Sequence, residues 1–339
     1  MTERMKAWQL AAPGDVLEQL SLNTEAPRPS PQSLKSKEIL VKVISAGINP
    51  ADYKVPGLGF IARSIVSFPN TIGMDLSGEV VAVAAGVTDV LVGDYVIGHL
   101  DAVKRPGALS EYVVLPFQGY AKLSRDANLD FAGPAGTAAL TAYQTIKPYV
   151  KPGDRVFING GSGGTGTYGL QIAKLLGCQV TTSCSTAKVE LCKDLGADKI
   201  IDYKKSSIVE ELKKDGPVYS LVVDNVGRTV PELYGNASGY LLPEGRYIVV
   251  GAETATQMAS LVTTLMRPSF LGGGKHKISP YVTQDSHDDL SQLADWFSEG
   301  KLKTAIDSTY EFDDALEAYK TLKKGSAAGK IVIHVSPRK

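Results

Sequence analysis

Arg155-Val-Phe-Ile-Asn-Gly-Gly-Ser-Gly-Gly-Thr-Gly166 is a compact apolar run that passes into a glycine-rich turn. Read as Gly-x-Gly-x-x-Gly, its glycines are Gly161, Gly163 and Gly166. The bare pattern carries little weight; after a strand and ahead of a helix it marks a dinucleotide site. Both neighbours are predicted here. Residues 155–159 read as a short strand, and residues 167–176 are amphipathic at helical spacing until Gly177 stops them. Glycine permits the tight turn and the close approach of a pyrophosphate. The helix N-terminus adds N–H donors and a partial positive charge. A plain flexible loop of glycines would not require the strand–helix units that surround it.

Downstream the alternation continues. Strands are predicted at 179–183, 199–203, 220–224 and 246–251, with helices at 188–195 and 208–214. Such alternation implies an α/β Rossmann fold, a doubly wound parallel sheet with helices on both faces. Upstream of about residue 130 the chain changes to short β-rich runs, at 39–44, 78–85, 95–98 and 112–115, split by glycine and proline. That spacing predicts a small barrel or sandwich. The last segment reads as helices at 288–299 and 312–324 and a closing strand at 330–335. Periodicity leaves two placements for this tail: an extension of the Rossmann sheet, or a return to the first domain.

The gross numbers fit two soluble domains. The chain has 339 residues, of which 43% are hydrophobic and 21% charged. Lys plus Arg equals Asp plus Glu at 36 each, so there is no basic footprint for nucleic acid or an anionic membrane. The three cysteines, Cys178, Cys184 and Cys192, have no metal-ligand spacing and suit a reducing compartment. Residues 1–10 carry no secretory pattern and no stretch reaches the ~20 apolar residues of a membrane span. A cytoplasmic protein is expected.

An NAD site usually carries Asp or Glu about 20 residues after the loop, on the ribose 2′-OH. Here the second strand and its end read Gln179-Val-Thr-Thr-Ser-Cys-Ser-Thr-Ala-Lys188, with no carboxylate before Glu190. Hydroxyls and a lysine attract a 2′-phosphate. NADPH is therefore the expected cofactor, with Ser185 and Lys188 on its phosphate. The competing reading makes Lys188 only the start of a surface helix.

The order of β-rich part, central phosphate loop and returning tail resembles the medium-chain dehydrogenase/reductase superfamily, in its zinc-free quinone oxidoreductase branch. The resemblance covers essentially the whole chain. It rests on Gly47-Ile-Asn-Pro-Ala-Asp-Tyr-Lys54, Ile72-Gly-Met-Asp-Leu-Ser-Gly-Glu79, Gly107-Ala-Leu-Ser-Glu-Tyr-Val113 and Ala135-Gly-Thr-Ala-Ala-Leu-Thr-Ala142. Lys151-Pro-Gly-Asp-Arg155, Leu195-Gly-Ala-Asp198 and Gly329-Lys330 continue it. Within the branch the chain is similar to chloroplast-envelope quinone oxidoreductase homologues, to reticulon-interacting mitochondrial oxidoreductases and to fungal relatives. The endings Glu299-Gly-Lys-Leu-Lys-Thr-Ala-Ile-Asp307 and Ala328-Gly-Lys-Ile-Val332 carry that closer likeness.

The resemblance implies a GroES-like catalytic domain over 1–130, completed by 271–339, and a Rossmann NADPH-binding domain over 131–270. It resolves the placement of the tail in favour of a return. It implies reduction of α,β-unsaturated carbonyls or quinones, by a monomer or a homodimer. Residue by residue, it implies that Asn49 lines the nicotinamide pocket and that Thr141 contacts the cofactor near its nicotinamide end. Ser162, Gly163, Gly164 and Thr165 would cradle the pyrophosphate. Ser185, Lys188 and Tyr203 would hold the adenosine phosphate, Asn225 and Gly251 would form turns on the nicotinamide side, and Lys330 would lie near the cofactor.

Alcohol-dehydrogenase relatives carry a catalytic zinc on Cys and His ligands. The corresponding segments here are Gly47 to Asp52, without Cys or His, and Gly73-Met-Asp75 in place of Gly-His-Glu. His99, His276, His287 and His334 are scattered. Without a Lewis acid on an alcohol oxygen, alcohol oxidation is disfavoured, whereas conjugate reduction needs no metal. Hydride from NADPH would reach the β-carbon of an enone, and the enolate would need a proton. Tyr53 and Lys54 are the candidate donors, with bulk water as the alternative; fungal stand-alone enoyl reductases of polyketide synthesis also carry a lysine here. The segment 267–281 is read as an irregular cap over the substrate. Two further readings stay open: an enoyl reductase dedicated to one pathway and acting on acyl thioesters, and an NADPH-binding protein with a structural or partner role.

Overall fold

The computed structural model describes residues 3–101, 106–227, 230–250 and 276–337. Contacts divide the chain into two units, Met1–Leu140 with Gln284–Lys339, and Thr141–Thr283.

In the first unit the strands are β1 (Arg4–Leu10), β2 (Leu20–Pro27), β3 (Glu38–Gly47), β4 (Asn70–Thr71), β5 (Asp75–Val83), β6 (Tyr95–His99), β7 (Tyr112–Pro116) and β8 (Tyr120–Leu123). In the second unit they are β9 (Arg155–Asn159), β10 (Gln179–Cys184), β11 (Lys199–Asp202), β12 (Tyr219–Asp224), β13 (Leu241–Val249) and β14 (Lys277–Pro280). The tail returns β15 (Ile306–Glu311) and β16 (Lys330–His334) to the first unit.

The second unit is a six-stranded sheet in the order β11-β10-β9-β12-β13-β14, with every pair parallel. Renumbered from β9, this is the doubly wound order 3-2-1-4-5-6. Side chains on β9 alternate as a strand requires. Phe157 enters one apolar cluster with Tyr219 and Val222, while Val156 and Ile158 enter another with Leu170 and Ala173. Both faces of the sheet are therefore covered, which is why its strands read as near-continuous apolar runs.

The first unit is a seven-stranded sheet, β15-β16-β3-β5-β6-β8 with β7 also on β3, beside a smaller sheet β2-β1-β4. The closing strand β16 runs antiparallel to the end of β3, Val332 facing Gly47. The tail from Gln284 onward thus lies with the β-rich unit, whereas Lys277–Pro280 stays with the second. The tail brings Lys330 beside residues 48 and 49, far away in sequence.

Three differences from the sequence reading have physical causes. The helix Gly136–Ile146 is absent from it, because Gly136-Thr-Ala-Ala-Leu-Thr is small and weakly amphipathic. Strand β13 starts at Leu241 rather than Arg246, through the turn-like Pro-Glu-Gly at 243–245. The segment 267–281 was expected to be irregular, yet Lys277–Pro280 extends the sheet on β13. Its proline lowers its strand signal and is tolerated at a sheet edge. The rest of that segment through residue 275, and Gly251, lie outside the described residues. No helix among the described residues is long and apolar enough to cross a membrane.

Candidate active site

In the second unit the phosphate loop joins β9 to the helix Gly164–Leu175. Each glycine of the fingerprint has a separate reason. A Cβ on Gly161 would lie 2.0 Å from Thr182 Oγ1, and one on Gly166 would lie 2.2 Å from Gly160 O. Close packing alone demands glycine at both. A Cβ on Gly163 would meet nothing nearer than Gly160 O at 3.5 Å. The protein leaves that side open, which is where backbone must approach a ligand closely. Gly160 turns with φ +78° and its N–H donates to Ser183 Oγ at 3.0 Å. Thr167 N–H makes an early intrahelical bond, to Gly163 O. The earlier first-turn amides, on Gly164, Thr165 and Gly166, point along the helix axis without a carbonyl one turn back. Ser162 is buried, while Gly163, Gly164 and Thr165 are half-buried.

Behind the loop, a polar network ties the C-terminal ends of four strands. Asn159 Nδ2 donates to Asp224 Oδ1 (2.8 Å) and Ser183 Oγ donates to Asn159 Oδ1 (2.5 Å). Asp224 also accepts from the N–H groups of Val226 and Gly227 and from Tyr247 OH. Burial raises the Tyr247 phenol well above its ordinary range, so it stays a donor. Asn225 donates its side-chain amide to Asn159 O at 3.2 Å, but its Oδ1 is buried with no hydrogen-bond partner. Buried polar atoms are rarely left so. An orphaned acceptor at the ends of parallel strands fits a group that binds there, and with the open side at Gly163 it fits a dinucleotide.

Ser185 caps the short 3-10 turn Thr186–Lys188 after β10, which ends on Lys188, and Tyr203, about half exposed, follows β11. The backbone links them: Tyr203 N–H donates to Cys184 O at 3.1 Å. The fold also brings a carboxylate that reading along one strand misses. Asp202 accepts from Thr186 Oγ1 (2.7 Å) and lies 3.5 Å from Lys205 Nζ. The Thr186 bond and Lys205 hold Asp202 below the usual carboxylate range. Thr141, at the start of this unit, shares a short hydrogen bond with Thr283. Burial pushes Cys178 up to about 11 and Cys192 to about 12, and raises Cys184 as well, so none of the three is a ready thiolate nucleophile.

In the first unit Asn49 is the N-cap of the helix Pro50–Lys54, which carries Tyr53 and Lys54, both half-buried. Asp52 Oδ2 accepts from Asn49 N–H (2.7 Å) and from Tyr319 OH (3.0 Å). Burial pushes the Asp52 carboxyl up to about 7, against the lowering effect of the Asn49 N–H. Asn49 Nδ2 donates to Asp75 Oδ2 at 2.9 Å. Asp75 Oδ1 accepts from Thr137 N–H (2.6 Å) and Thr137 Oγ1 (2.5 Å). Lys330, 3% exposed, donates to Asn49 Oδ1 (2.5 Å) and to Ile48 O (3.2 Å), and pairs with Asp75 Oδ2 (3.3 Å). Of this cluster, sequence reading finds Asn49 and Lys330 but not Asp52, Asp75, Thr137 or Tyr319 as members. The Asn-x-x-Asp spacing of a helix start was the available signal for Asp52.

Among the described residues no group of three His, Cys, Asp or Glu side chains is arranged to hold a metal ion. The described histidines have other partners: His99 pairs with Asp285 (2.6 Å), and His287 Nδ1 lies 2.8 Å from Tyr120 O.

Comparison with known proteins agrees with this architecture. Residues 35–125 match the alcohol dehydrogenase GroES-like domain, and residues 195–333 match the family described as zinc-binding dehydrogenase. The chain is 42% identical to a trans-enoyl reductase, pgmF, of Aspergillus terreus over 98% of its length and 96% of the relative's. It is 31% identical to 2-methylene-furan-3-one reductase of Solanum lycopersicum, covering 98% of this chain and 80% of that one. The solved quinone oxidoreductase from Coxiella burnetii superposes with a TM-score of 0.83 at 28% identity, over 98% of this chain and all of that one. The protein is an oxidoreductase that belongs to the medium-chain dehydrogenase/reductase superfamily, with a GroES-like unit and a Rossmann unit.

Proposed function

We propose that the protein reduces the C=C bond of α,β-unsaturated carbonyls, or quinones, with NADPH and without a metal. One observation carries the reading. Where metal-using relatives place Gly-His-Glu, this chain has Gly73-Met74-Asp75, and Asp75 is already bound by the Lys330 ammonium, Asn49 and Thr137. A thioether beside a carboxylate engaged with an ammonium is a poor zinc donor set. Conjugate reduction needs no Lewis acid.

When bound, NADPH supplies the hydride for the β-carbon of the enone. The chain's own residues do the rest. The segment Ser162, Gly163, Gly164 and Thr165 would cradle the pyrophosphate, with the first-turn amides of Gly164 and Thr165 donating at the helix N-terminus while the Gly163 N–H stays on Gly160 O and holds the turn. Ser185, Lys188 and Tyr203 hold the 2′-phosphate; Asp202 does not repel it strongly, being engaged by Thr186 and Lys205. Asn49, Thr141 and Asn225 orient the nicotinamide, with Asn225 Oδ1 as the waiting acceptor. Tyr53 or Lys54 donates the proton that the enolate requires. The identity to a trans-enoyl reductase supports a second reading, an enoyl substrate such as an acyl thioester. Three free, buried cysteines fit action in a reducing compartment such as the cytoplasm.

The test is steady-state consumption of NADPH and of NADH against enones, quinones and enoyl thioesters, before and after exhaustive chelation. NADPH-preferring turnover that survives chelation is expected. Turnover abolished by chelation and restored by zinc overturns the metal-free reading, and NADPH binding without turnover of any acceptor overturns the catalytic one.

A further inference from the structure

We propose that Lys330 and Asp75 are positioning residues, whose buried ion pair locks the Asn49 carboxamide in a single orientation for the reaction. The inference rests on the reading above that Asn49 faces the reacting end of the cofactor. Its geometry lies entirely within the first unit.

All three groups are buried: Asn49 is 5% exposed, Lys330 3% and Asp75 0%. The Lys330 ammonium has three hydrogens and three acceptors, namely Asn49 Oδ1 (2.5 Å), Ile48 O (3.2 Å) and Asp75 Oδ2 (3.3 Å). Asp75 is itself fixed, since its Oδ1 takes both the N–H and the hydroxyl of Thr137. Between these two charges lies the amide, its oxygen toward the ammonium and its nitrogen toward the carboxylate.

A flipped amide would put its NH2 against the ammonium and its oxygen against the carboxylate. Two charge-assisted hydrogen bonds would become two repulsive contacts, in a site too buried for water to screen them. In the locked orientation Asn49 presents one N–H, directed only at the distant Thr137 Oγ1 (3.5 Å), to any ligand. The backbone of Asn49 is tied as well, by its N–H to Asp52. Such fixation on both sides is what preorganisation of a reacting group requires. Stability alone does not call for it, because apolar side chains of similar volume often replace a buried ion pair without loss.

Lys330 therefore acts through Asn49. The experiment compares wild type, Asn49→Ala, Lys330→Met and the double variant Asp75→Asn/Lys330→Met. It reads kcat and KM with NADPH and an enone, NADPH affinity by fluorescence, and urea unfolding. Lys330→Met is expected to lower kcat by about 100-fold, the scale of a small misplacement, with NADPH affinity near wild type. The double variant leaves no unpaired charge and regains stability, but its amide is free to turn, and its kcat stays at the level of Asn49→Ala. Wild-type kcat in Lys330→Met, or a kcat that returns together with stability in the double variant, overturns the proposal. If Lys330→Met does not fold, the double variant decides alone. Full activity in Asn49→Ala would instead refute the assignment of Asn49 to the reacting end, and an inactive wild type would refute the proposed reaction.

Discussion

The loop of residues 160–166 and the cluster around Lys330 are built on opposite plans. The loop is made of backbone. It is contiguous, uncharged and specified by where a Cβ can and cannot stand. The cluster is made of side chains, drawn from residues 49, 52, 75, 137, 319 and 330, and its core is a pair of opposite charges with almost no exposure. A backbone site tolerates much and fails at single glycines. A buried charged site fails whenever one partner is removed, since the other stays behind without compensation.

The largest expected effect breaks the charged cluster. Asp75→Ala leaves the Lys330 ammonium buried and removes the carboxylate held by Thr137. Urea unfolding is expected to show a loss of about 3–5 kcal/mol, and an unchanged midpoint would mean that water reaches Lys330. The next effect separates the glycines. Gly166→Ala drives a Cβ to 2.2 Å from Gly160 O and is expected to cost about 1–3 kcal/mol of stability. Gly163→Ala has room for its methyl, at 3.5 Å from the nearest atom. It is expected to leave the unfolding midpoint alone while weakening NADPH binding in a fluorescence titration. Equal stability losses at both positions would remove the distinction between packing glycine and ligand glycine.

A smaller effect is expected at Lys188. Replacing it with Ala should cut the preference for NADPH over NADH by about tenfold, or ~1.4 kcal/mol, if it bears on the 2′-phosphate. An unchanged ratio of kcat/KM values would assign Lys188 to the helix start alone. The smallest effect is a pH slope. Burial raises the Asp52 carboxyl to about 7 in the folded protein, above its unfolded value near 4. The folded state then holds a proton that the unfolded state has lost, so this contribution to stability is full below about pH 4 and fades as pH rises toward 7. Asp52→Asn keeps an acceptor for Asn49 N–H and Tyr319 OH and has nothing to ionise. Its stability relative to wild type should therefore grow from pH 5 to pH 8, and a parallel pair of curves would show that Asp52 does not titrate there.

The same contrast explains what could be read from the chain. Strand 155–159 and helix 208–214 stand where the pattern puts them, because apolar period and stop residues are local. The phosphate loop was legible for the same reason: its physics needs glycine at fixed short spacing. The returning tail was not legible from period, and only the likeness to a family placed it. Periodicity says nothing of Lys330, which only the family likeness singles out; its burial follows once β16 pairs with β3 and carries it inward. Asp75 was visible only as a missing zinc-site glutamate, since its partners Thr137 and Lys330 are 62 and 255 residues away. Asp202 escaped notice because it reaches Thr186 from a neighbouring strand. Strand Lys277–Pro280 was hidden by its own proline.

The central claim is hydride delivery to a carbon–carbon double bond. Its most direct test is turnover of an enone with NADPH carrying deuterium at C4, followed by location of the label in the product. Deuterium at the β-carbon, with an intact carbonyl and activity insensitive to chelation, is the predicted result. Deuterium on the carbonyl carbon, giving an allylic alcohol, or no transfer to any enone or quinone, would contradict it.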